Sequence, residues 1–339
     1  YGAAHPTPGL RTGGERGGGR LRAAVLGVGA LGGRLGWELQ TSGAAKVTLA
    51  VRRPAQAAAL REQGLTLLDT AGRPRGTCFP HVVTAGERSP VQDVVFVATK
   101  AYAAAAALTA FASLVGPNTL VVSLQNGLGV TAELQRALPP QVRFPVVRCV
   151  TANGATRLCD TVVRLGGSGW SQLGWTTTVP AAADERLSGL AHVLTAAGWP
   201  TQVVPDISPY EWGKLLVNVG INPLTALLGQ PNAIVVTNTW AHRTMQFLIK
   251  EAASVASRLG IALPWRDALA AVKRVATDTA QNRSSMLQDL EAGRPTEIDY
   301  INGAVVRYGQ KVAVPTPYNR LIVALIKARE ELVLGGSET

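Results

Sequence analysis

Short apolar runs separated by amphipathic stretches dominate the chain up to Pro205, whereas helical periodicity dominates the rest. The apolar runs are bounded by turn residues and predict buried strands at 23–26, 47–51, 93–100, 120–124, 146–151, 161–165, 171–174 and 202–204. Helices are predicted between them, and the segment 65–80 is predicted to form a hairpin. Alternating strands and helices are typical of an α/β fold. We therefore expect a Rossmann-type, doubly wound, mainly parallel sheet followed by an all-α C-terminal domain.

The same pattern predicts the organisation of the chain. Residues 1–22 are rich in glycine and arginine and are expected to be a disordered leader or an expression remnant, with a mitochondrial presequence as a minor alternative. Residues 23–205 are expected to form a nucleotide-binding domain of the Rossmann type. Residues 206–335 are expected to form a helical domain that carries substrate and catalytic residues.

The first predicted strand runs into a glycine-rich turn, Gly27-Val28-Gly29-Ala30-Leu31-Gly32. In a dinucleotide site the first glycine makes the tight turn, the second lets the backbone approach a pyrophosphate, and the third lets the helix pack on the strand. The phosphates would lie on free amides at the start of the helix. The alternative is an ordinary strand-to-helix turn, because a chain with 36 glycines produces such patterns by chance.

The second strand ends in Arg52-Arg53-Pro54, where an NAD-binding fold would carry an acid for the ribose 2′-hydroxyl. An arginine at this place suits a 2′-phosphate, so Arg52 predicts NADPH/NADP+ as the cofactor; the alternative is a pair of solvated loop arginines. Lys100 lies at the carboxyl end of the predicted strand 93–100, and Asn126 follows the predicted strand 120–124. Because parallel strands end at the same edge of a sheet, both side chains are expected to face the ligand there, although they could simply cap the next helices.

The helical part carries three polar groupings. Ser208, Pro209 and Glu211 form a predicted capping box that opens a helix. On this helix a polar face is formed by three residues spaced four apart, Lys214, Asn218 and Asn222, and Pro223 is expected to kink or end it.

The third grouping lies on a helix predicted from 267 to 291, whose polar face carries Asn282, Ser285 and Asp289. Thr296 is then expected to cap a last amphipathic helix with an apolar face at 298, 301, 305 and 308. Glu297, in its first turn, is the nearest acid to this polar face. For Glu297 the alternative is a carboxylate that merely favours the positive end of the helix dipole.

Composition narrows the functional classes. The net charge is +11, but the basic residues are scattered and only 5% of residues are aromatic, so nucleic-acid binding is not expected. No apolar run reaches the length of about 20 residues that a membrane span needs. Three cysteines without CxxC spacing suggest neither a disulfide framework nor a metal site and fit the cytoplasm. The four histidines have no acid partner in the sequence pattern, which argues against a His/Asp dehydrogenase mechanism.

Together these motifs resemble the ketopantoate reductase family from about residue 23 to the last helix. The resemblance is carried by the glycine turn, Lys100, Asn126-Gly127, Lys214-x-x-x-Asn218-x-x-x-Asn222-Pro223, 282–289 and 296–303. It implies NADPH-dependent reduction of 2-dehydropantoate to pantoate, a step towards pantothenate and coenzyme A. It further implies Lys214 as general acid, Glu297 as the carboxylate that orients the substrate, and Ser285 as a contact to the substrate carboxylate. Asn218, Asn222 and Asn282 would bind substrate, Lys100 and Asn126 would lie between cofactor and substrate, and Arg52 would bind the 2′-phosphate.

Other interpretations stay open. Tyr210-x-x-x-Lys214 matches the YxxxK motif of short-chain dehydrogenases, but Pro209 places Tyr210 in the first turn of its helix. A related reductase of another small 2-keto acid fits the same residues, and a non-catalytic NADP(H) sensor would be a different class of protein. A homodimer is possible; the sequence does not predict the oligomeric state.

Overall fold

The computed structural model describes residues 20–179 and 181–335. Most of the predicted leader therefore lies outside the described residues. The prediction that the ordered chain starts at residue 23 is wrong by two residues, because Leu21 and Arg22 already belong to the first strand. Ala23 to Leu26 are fully buried in that strand, which makes it a central element of the fold.

Twelve strands are found in the described residues: β1 (Leu21–Leu26), β2 (Ala45–Ala50), β3 (Leu65–Leu68), β4 (Pro74–Cys78), β5 (His81–Val83), β6 (Val94–Val97), β7 (Leu120–Ser123), β8 (Val147–Thr151), β9 (Gly154–Arg157), β10 (Val162–Gly167), β11 (Ser171–Trp175) and β12 (Thr201–Val203). Eight of them form one sheet in the order β12-β11-β8-β7-β6-β1-β2-β5. All neighbours in this sheet are parallel except β8 and β11. The predicted Rossmann-type, mainly parallel sheet is confirmed.

The helices of the described residues are α1 (Ala30–Thr41), α2 (Pro54–Gln63), α3 (Ala104–Ala110), α4 (Val130–Ala137), α5 (Ala181–Ala196), α6 (Ser208–Leu228), α7 (Ile234–Thr237), α8 (Thr239–Arg258), α9 (Ala268–Asp278), α10 (Ser285–Glu291), α11 (Asn302–Lys311) and α12 (Pro317–Gly335). Short 3₁₀ turns lie at Ala101–Ala103, Ala112–Leu114 and Ile298–Tyr300. No strand is found among the described residues after β12, so the all-α C-terminal region is confirmed.

The hairpin predicted at 65–80 exists as β3 and β4, but it belongs to a second sheet with the order β4-β3-β10-β9. Arg34, fully buried on α1, joins this sheet to the helix by donating to the carbonyl oxygen of Gly154 at 2.9 Å and to Ser168 Oγ at 3.0 Å. Glu38 accepts hydrogen bonds from Arg34 and from the indole N–H of Trp199. The charge of Arg34 is therefore paired inside the protein.

The helical region is built around α6, whose Leu216 and Val219 are fully buried. Two local predictions for this helix are wrong, namely the capping box and a helix end at Pro223. Ser208 is the first helical residue and makes no side-chain cap, so there is no capping box. The helix also continues through Pro223 to Leu228, because packing on every side holds a residue that would weaken an isolated helix.

The helix predicted from 267 to 291 is two helices, α9 and α10, separated by a loop at 279–284. Ser284 starts α10 by accepting a hydrogen bond from the backbone N–H of Leu287 at 3.1 Å. The helix predicted after Thr296 is a 3₁₀ turn followed by α11, and it is not the last, since α12 follows.

Candidate active site

The glycine turn has the geometry that a dinucleotide site requires. Gly27 has φ +91°, a value that favours glycine, and a Cβ there would lie 2.6 Å from Thr99 Cγ2. At Gly32 a Cβ would lie 2.2 Å from the Gly27 carbonyl oxygen, so only glycine lets α1 pack this closely. A Cβ at Gly29 would meet nothing within 4 Å. The second glycine therefore borders open space at the start of α1, where a ligand's phosphates can approach the backbone.

Two arginines follow β2 and differ in their partners. Arg53 forms an ion pair with Asp160, which also accepts from Arg157 at 3.0 Å. Arg52 is exposed and makes no side-chain hydrogen bond or ion pair with the described residues. Gln56, buried on α2, donates to the carbonyl oxygen of Val28 at 3.0 Å and so connects α2 to the glycine turn. The glycine turn has the geometry of a dinucleotide site, and Arg52 lies exposed after the neighbouring strand.

Lys100 follows β6 and lies between two buried carboxylates. Its ammonium group forms an ion pair with Asp289 of α10 and lies 3.9 Å from Glu297 Oε2. Arg294 donates to the same Asp289 from Nε and Nη2, both at 3.2 Å. Burial favours the neutral amine of Lys100, but the charges of Glu297 and Asp289 outweigh it and raise its pKa. Lys100 is therefore a fixed positive charge at the carboxyl edge of the sheet.

Glu297 connects the helical region to the same edge. Its Oε1 accepts from the backbone N–H of Ala101 at 2.9 Å, and its Oε2 accepts from Asn126 Nδ2 at 3.3 Å. The side chain is almost fully buried. The interpretation of Glu297 as a residue that only favours a helix dipole does not describe these contacts, because both carboxylate oxygens are held by groups of the sheet edge.

Lys214 lies largely buried on α6 and makes no hydrogen bond or ion pair with the described residues. Burial and, to a smaller extent, the positive charge of Arg148 lower its pKa to about 8, although Cys149 and Glu297 act in the opposite direction. A group with this pKa is a proton donor suited to neutral pH. Lys214 and Lys100 thus carry the same functional group with pKa values shifted in opposite directions.

The asparagines of the predicted polar faces are placed differently. Asn218 lies one turn after Lys214, and its amide nitrogen is buried without a hydrogen-bond partner among the described residues. Asn222 is buried one turn further on. An unpaired buried donor is costly and is expected where a ligand completes it. Ser285 begins α10 beside Ser284, which is bonded to Thr225 Oγ1 of α6 at 2.7 Å.

Asn282 does not share a helix face with Ser285, as the sequence pattern suggested. It lies in the exposed loop between α9 and α10, where its backbone carbonyl accepts from the N–H of Asn232 at 2.9 Å. Tyr210, the tyrosine of the YxxxK pattern, lies in the first turn of α6 and packs edge-to-face on Trp170, with ring centroids 6.3 Å apart.

Besides Arg294, the sequence pattern did not identify Arg148 as a residue of this region. A charged residue within the apolar run at 146–151 was the available signal, because a buried guanidinium requires a partner. The partner is Glu211 of α6, 63 residues further along the chain, and Arg148 Nε lies 2.6 Å from Glu211 Oε1.

Among residues 20–179 and 181–335, no helix has the length and hydrophobicity to cross a bilayer.

The chain is similar to known proteins over most of its length. Residues 23–177 match the family described as "Ketopantoate reductase PanE/ApbA", and residues 206–330 match "Ketopantoate reductase PanE/ApbA C terminal". A 2-dehydropantoate 2-reductase of Halobacterium salinarum is 32% identical over 91% of this chain and 98% of its own length. One of Pyrobaculum aerophilum is 39% identical over 64% of this chain and 72% of its own length.

Solved structures show the same fold. A PanE/ApbA family ketopantoate reductase from Ralstonia eutropha has a TM-score of 0.81 at 27% identity, covering 92% of this chain and 99% of that one. D-mandelate dehydrogenase in a ternary structure with NADH and anilino(oxo)acetate has a TM-score of 0.83 at 26% identity, with the same coverage. On the two family matches and the identity to full-length relatives, this chain is an oxidoreductase that belongs to the ketopantoate reductase family.

Proposed function

We propose that this protein reduces 2-dehydropantoate to pantoate with NADPH, a step towards pantothenate and coenzyme A, and that Lys214 is the proton donor. The observation that carries the proposal is the contrast between two lysines. Lys100 is held by Asp289 and Glu297, which raise its pKa, whereas the pKa of Lys214 is lowered to about 8 and its ammonium has no partner among the described residues. Two like groups with separated pKa values mark different roles in one site.

The chemistry assigns a role to each lysine. Reduction of a ketone builds negative charge on the carbonyl oxygen, which needs a positive neighbour and then a proton. Lys214 can give its proton to that oxygen near neutral pH, whereas Lys100 is bound too tightly to its carboxylates to release one. Lys100 instead supplies a fixed positive charge. Such a charge favours an anionic ligand at the sheet edge.

The neighbouring polar groups complete a binding site for a small keto acid. Asn218 offers an unpaired amide donor one turn from Lys214, and Asn222 follows on the same face. Ser285 offers a hydroxyl for the substrate carboxylate, and Asn282 would have to approach from its loop. Glu297 would hold the substrate through the free lone pairs of its carboxylate, while Ala101 and Asn126 fix the orientation of the Glu297 side chain.

NADP(H) would be held by the turn of Gly27, Val28, Gly29, Ala30, Leu31 and Gly32, by Arg52 at its 2′-phosphate, and by Lys100 and Asn126 near its reactive ring. When bound, it supplies the hydride for the carbonyl carbon. The exposed guanidinium of Arg52, which has no partner among residues 20–179 and 181–335, supports the phosphorylated form of the cofactor over NAD. Cys78, Cys149 and Cys159 are free thiols, which supports a cytoplasmic location.

A second candidate is the reduction of another 2-keto acid, which the likeness to D-mandelate dehydrogenase favours. The test follows the absorbance of NADPH with 2-dehydropantoate, pyruvate, 2-ketoisovalerate and phenylglyoxylate, and repeats the series with NADH. We expect the highest kcat/KM for 2-dehydropantoate with NADPH. Preference for phenylglyoxylate would support the second candidate, and binding of NADPH without any reduction would support a non-catalytic sensor.

A further inference from the structure

Arg148 occupies a place in the fold where a charge is unusual. It lies in β8, between fully buried neighbours, and its side chain is only 4% exposed. Its Nε donates to Glu211 Oε1 at 2.6 Å, and Glu211 is 15% exposed. Desolvating two charges is costly, so a hydrophobic pair would be the simpler solution for stability alone. The Arg148–Glu211 ion pair is therefore expected to have a role beyond packing.

The remaining donors of Arg148 reach the end of β7 and the loop that follows it. Nη1 donates to the carbonyl oxygen of Ser123 at 3.3 Å, and Nη2 donates to that of Gly127 at 3.4 Å. Ser123 is the last residue of β7, and Gly127 follows Asn126 in the loop after this strand. On the opposite side, Glu211 precedes Lys214 by three residues on α6. One guanidinium thus links the loop that carries Asn126 to the helix that carries Lys214.

Three groups shift the pKa of Lys214, and a fourth charge, Glu211, lies three residues before it on the same helix. Arg148 and Cys149 face it from β8, Glu297 faces it from the segment before the 3₁₀ turn at Ile298–Tyr300, and Glu211 lies on its own helix. The positive charge of Arg148 opposes a second positive charge on Lys214. Glu211 partly neutralises Arg148, so the two members of this ion pair act on Lys214 with opposite signs.

We propose that Arg148 is a positioning residue of the reduction. Its hydrogen bonds fix the spacing between the Asn126 loop and the Lys214 helix, and its charge, moderated by Glu211, keeps Lys214 ready to release its proton. The proposal rests on the proposed function, in which Lys214 is the proton donor. It concerns no contact of Arg148 with substrate.

The decisive test compares the two members of the ion pair. Arg148→Gln and Glu211→Gln break the same salt bridge, so a purely structural role predicts the same effect from both. The electrostatic role predicts opposite effects: the pKa of Lys214 rises in Arg148→Gln and falls in Glu211→Gln. Arg148→Lys keeps the charge and should leave this pKa close to that of the parent.

The pKa is measured by NMR titration of protein carrying ¹³C at lysine Cε, which contains only seven lysines. Lys214→Arg identifies the resonance, and Glu331→Gln, at an exposed position of α12, controls for a change of net charge. Shifts of the same sign in both ion-pair variants, or no shift, would overturn the proposal. If Arg148→Gln does not fold, a downward shift in Glu211→Gln with no shift in Arg148→Lys supports it, and any other pattern rejects it.

Kinetics give a second readout. We expect Arg148→Lys to lower kcat about tenfold with KM little changed. A lysine cannot contact both the Asn126 loop and the Lys214 helix, and misplaced catalytic groups slow the chemical step. An unchanged kcat would reject the positioning role. If the parent does not reduce 2-dehydropantoate, the proposed function fails, whereas the titration of Lys214 still decides whether the ion pair acts on it.

Discussion

Glu297 accepts a hydrogen bond from the backbone N–H of Ala101, at 2.9 Å, although the two residues lie 196 positions apart. Ala101 starts the 3₁₀ turn that follows β6, and Glu297 precedes the 3₁₀ turn that leads into α11. The contact joins the carboxyl edge of the sheet to the helical region. Because Asn126 binds the second carboxylate oxygen, Glu297 has a single orientation in the cleft.

Glu297→Gln should therefore impair both the chemistry and the junction. An amide keeps one acceptor oxygen, but its NH₂ must then face either the N–H of Ala101 or the NH₂ of Asn126. A buried donor left without an acceptor costs about 1–3 kcal/mol. We expect a lower Tm and a fall in kcat/KM of roughly 10- to 100-fold, measured by thermal unfolding and NADPH oxidation. The matched control is Glu133→Gln, because Glu133 of α4 accepts a hydrogen bond from the Tyr300 hydroxyl. A normal kcat/KM in Glu297→Gln would remove Glu297 from the site.

Replacing Lys214 by alanine should abolish turnover but not cofactor binding. Loss of a positioned general acid costs roughly 10²- to 10⁴-fold in rate. Because Lys214 must be protonated to give a proton, we expect kcat of the parent for reduction to be constant below pH 8 and to fall above it. The checks are the pH profile of kcat and the fluorescence titration of NADPH with the Lys214→Ala protein. Retained turnover in this variant would show that another group is the acid.

The same pKa predicts how Lys214 affects stability. The value is about 8 in the folded protein and about 10.4 in an unfolded chain. Between these values the unfolded chain binds the proton that the folded protein has lost, so the contribution of Lys214 to stability rises with pH. Relative to Lys214→Met, the parent should gain up to about 3 kcal/mol of unfolding free energy from pH 8 to 10.4. Urea unfolding of both proteins across this range measures the difference. A constant difference would mean that Lys214 has an ordinary pKa.

Residues whose roles depend on local pattern could be predicted from the sequence. Gly27 and Gly32 are fixed by the strand-turn-helix unit that contains them. Lys100 and Asn126 both reach Glu297, because parallel strands place them at the same edge of the sheet. Asn282 shows the limit of periodicity: its spacing to Ser285 and Asp289 is helical, yet a loop intervenes. The segment 279–284 carries no apolar residue except Ala280, and Ser284 caps the following helix, so the break had a local signal.

Residues whose roles depend on distant partners could not be predicted in this way. Arg148 finds Glu211 only after β8 and α6 have packed together, and the position of Asp289 beside Lys100 requires the helical region to lie on the sheet edge. Side-chain periodicity identifies a buried face but not the partner across it. The continuation of α6 through Pro223 has the same cause, because tertiary packing outweighs the local preference of proline.

The cofactor preference should depend on Arg52 more than on Arg53. Arg52 is exposed and has no partner in the part of the chain that the structure describes, whereas Arg53 is paired with Asp160. A charge-assisted hydrogen bond is worth about 1.5–3 kcal/mol, so Arg52→Ala should lower kcat/KM for NADPH roughly 10- to 100-fold and leave that for NADH nearly unchanged. Arg53→Ala is the matched control and should have a smaller effect. Asp160→Asn releases Arg53 and removes a negative charge beside the phosphate, so it should increase the preference for NADPH. The four proteins are compared by kcat/KM with each cofactor, and a larger loss in Arg53→Ala than in Arg52→Ala would move the phosphate site to Arg53.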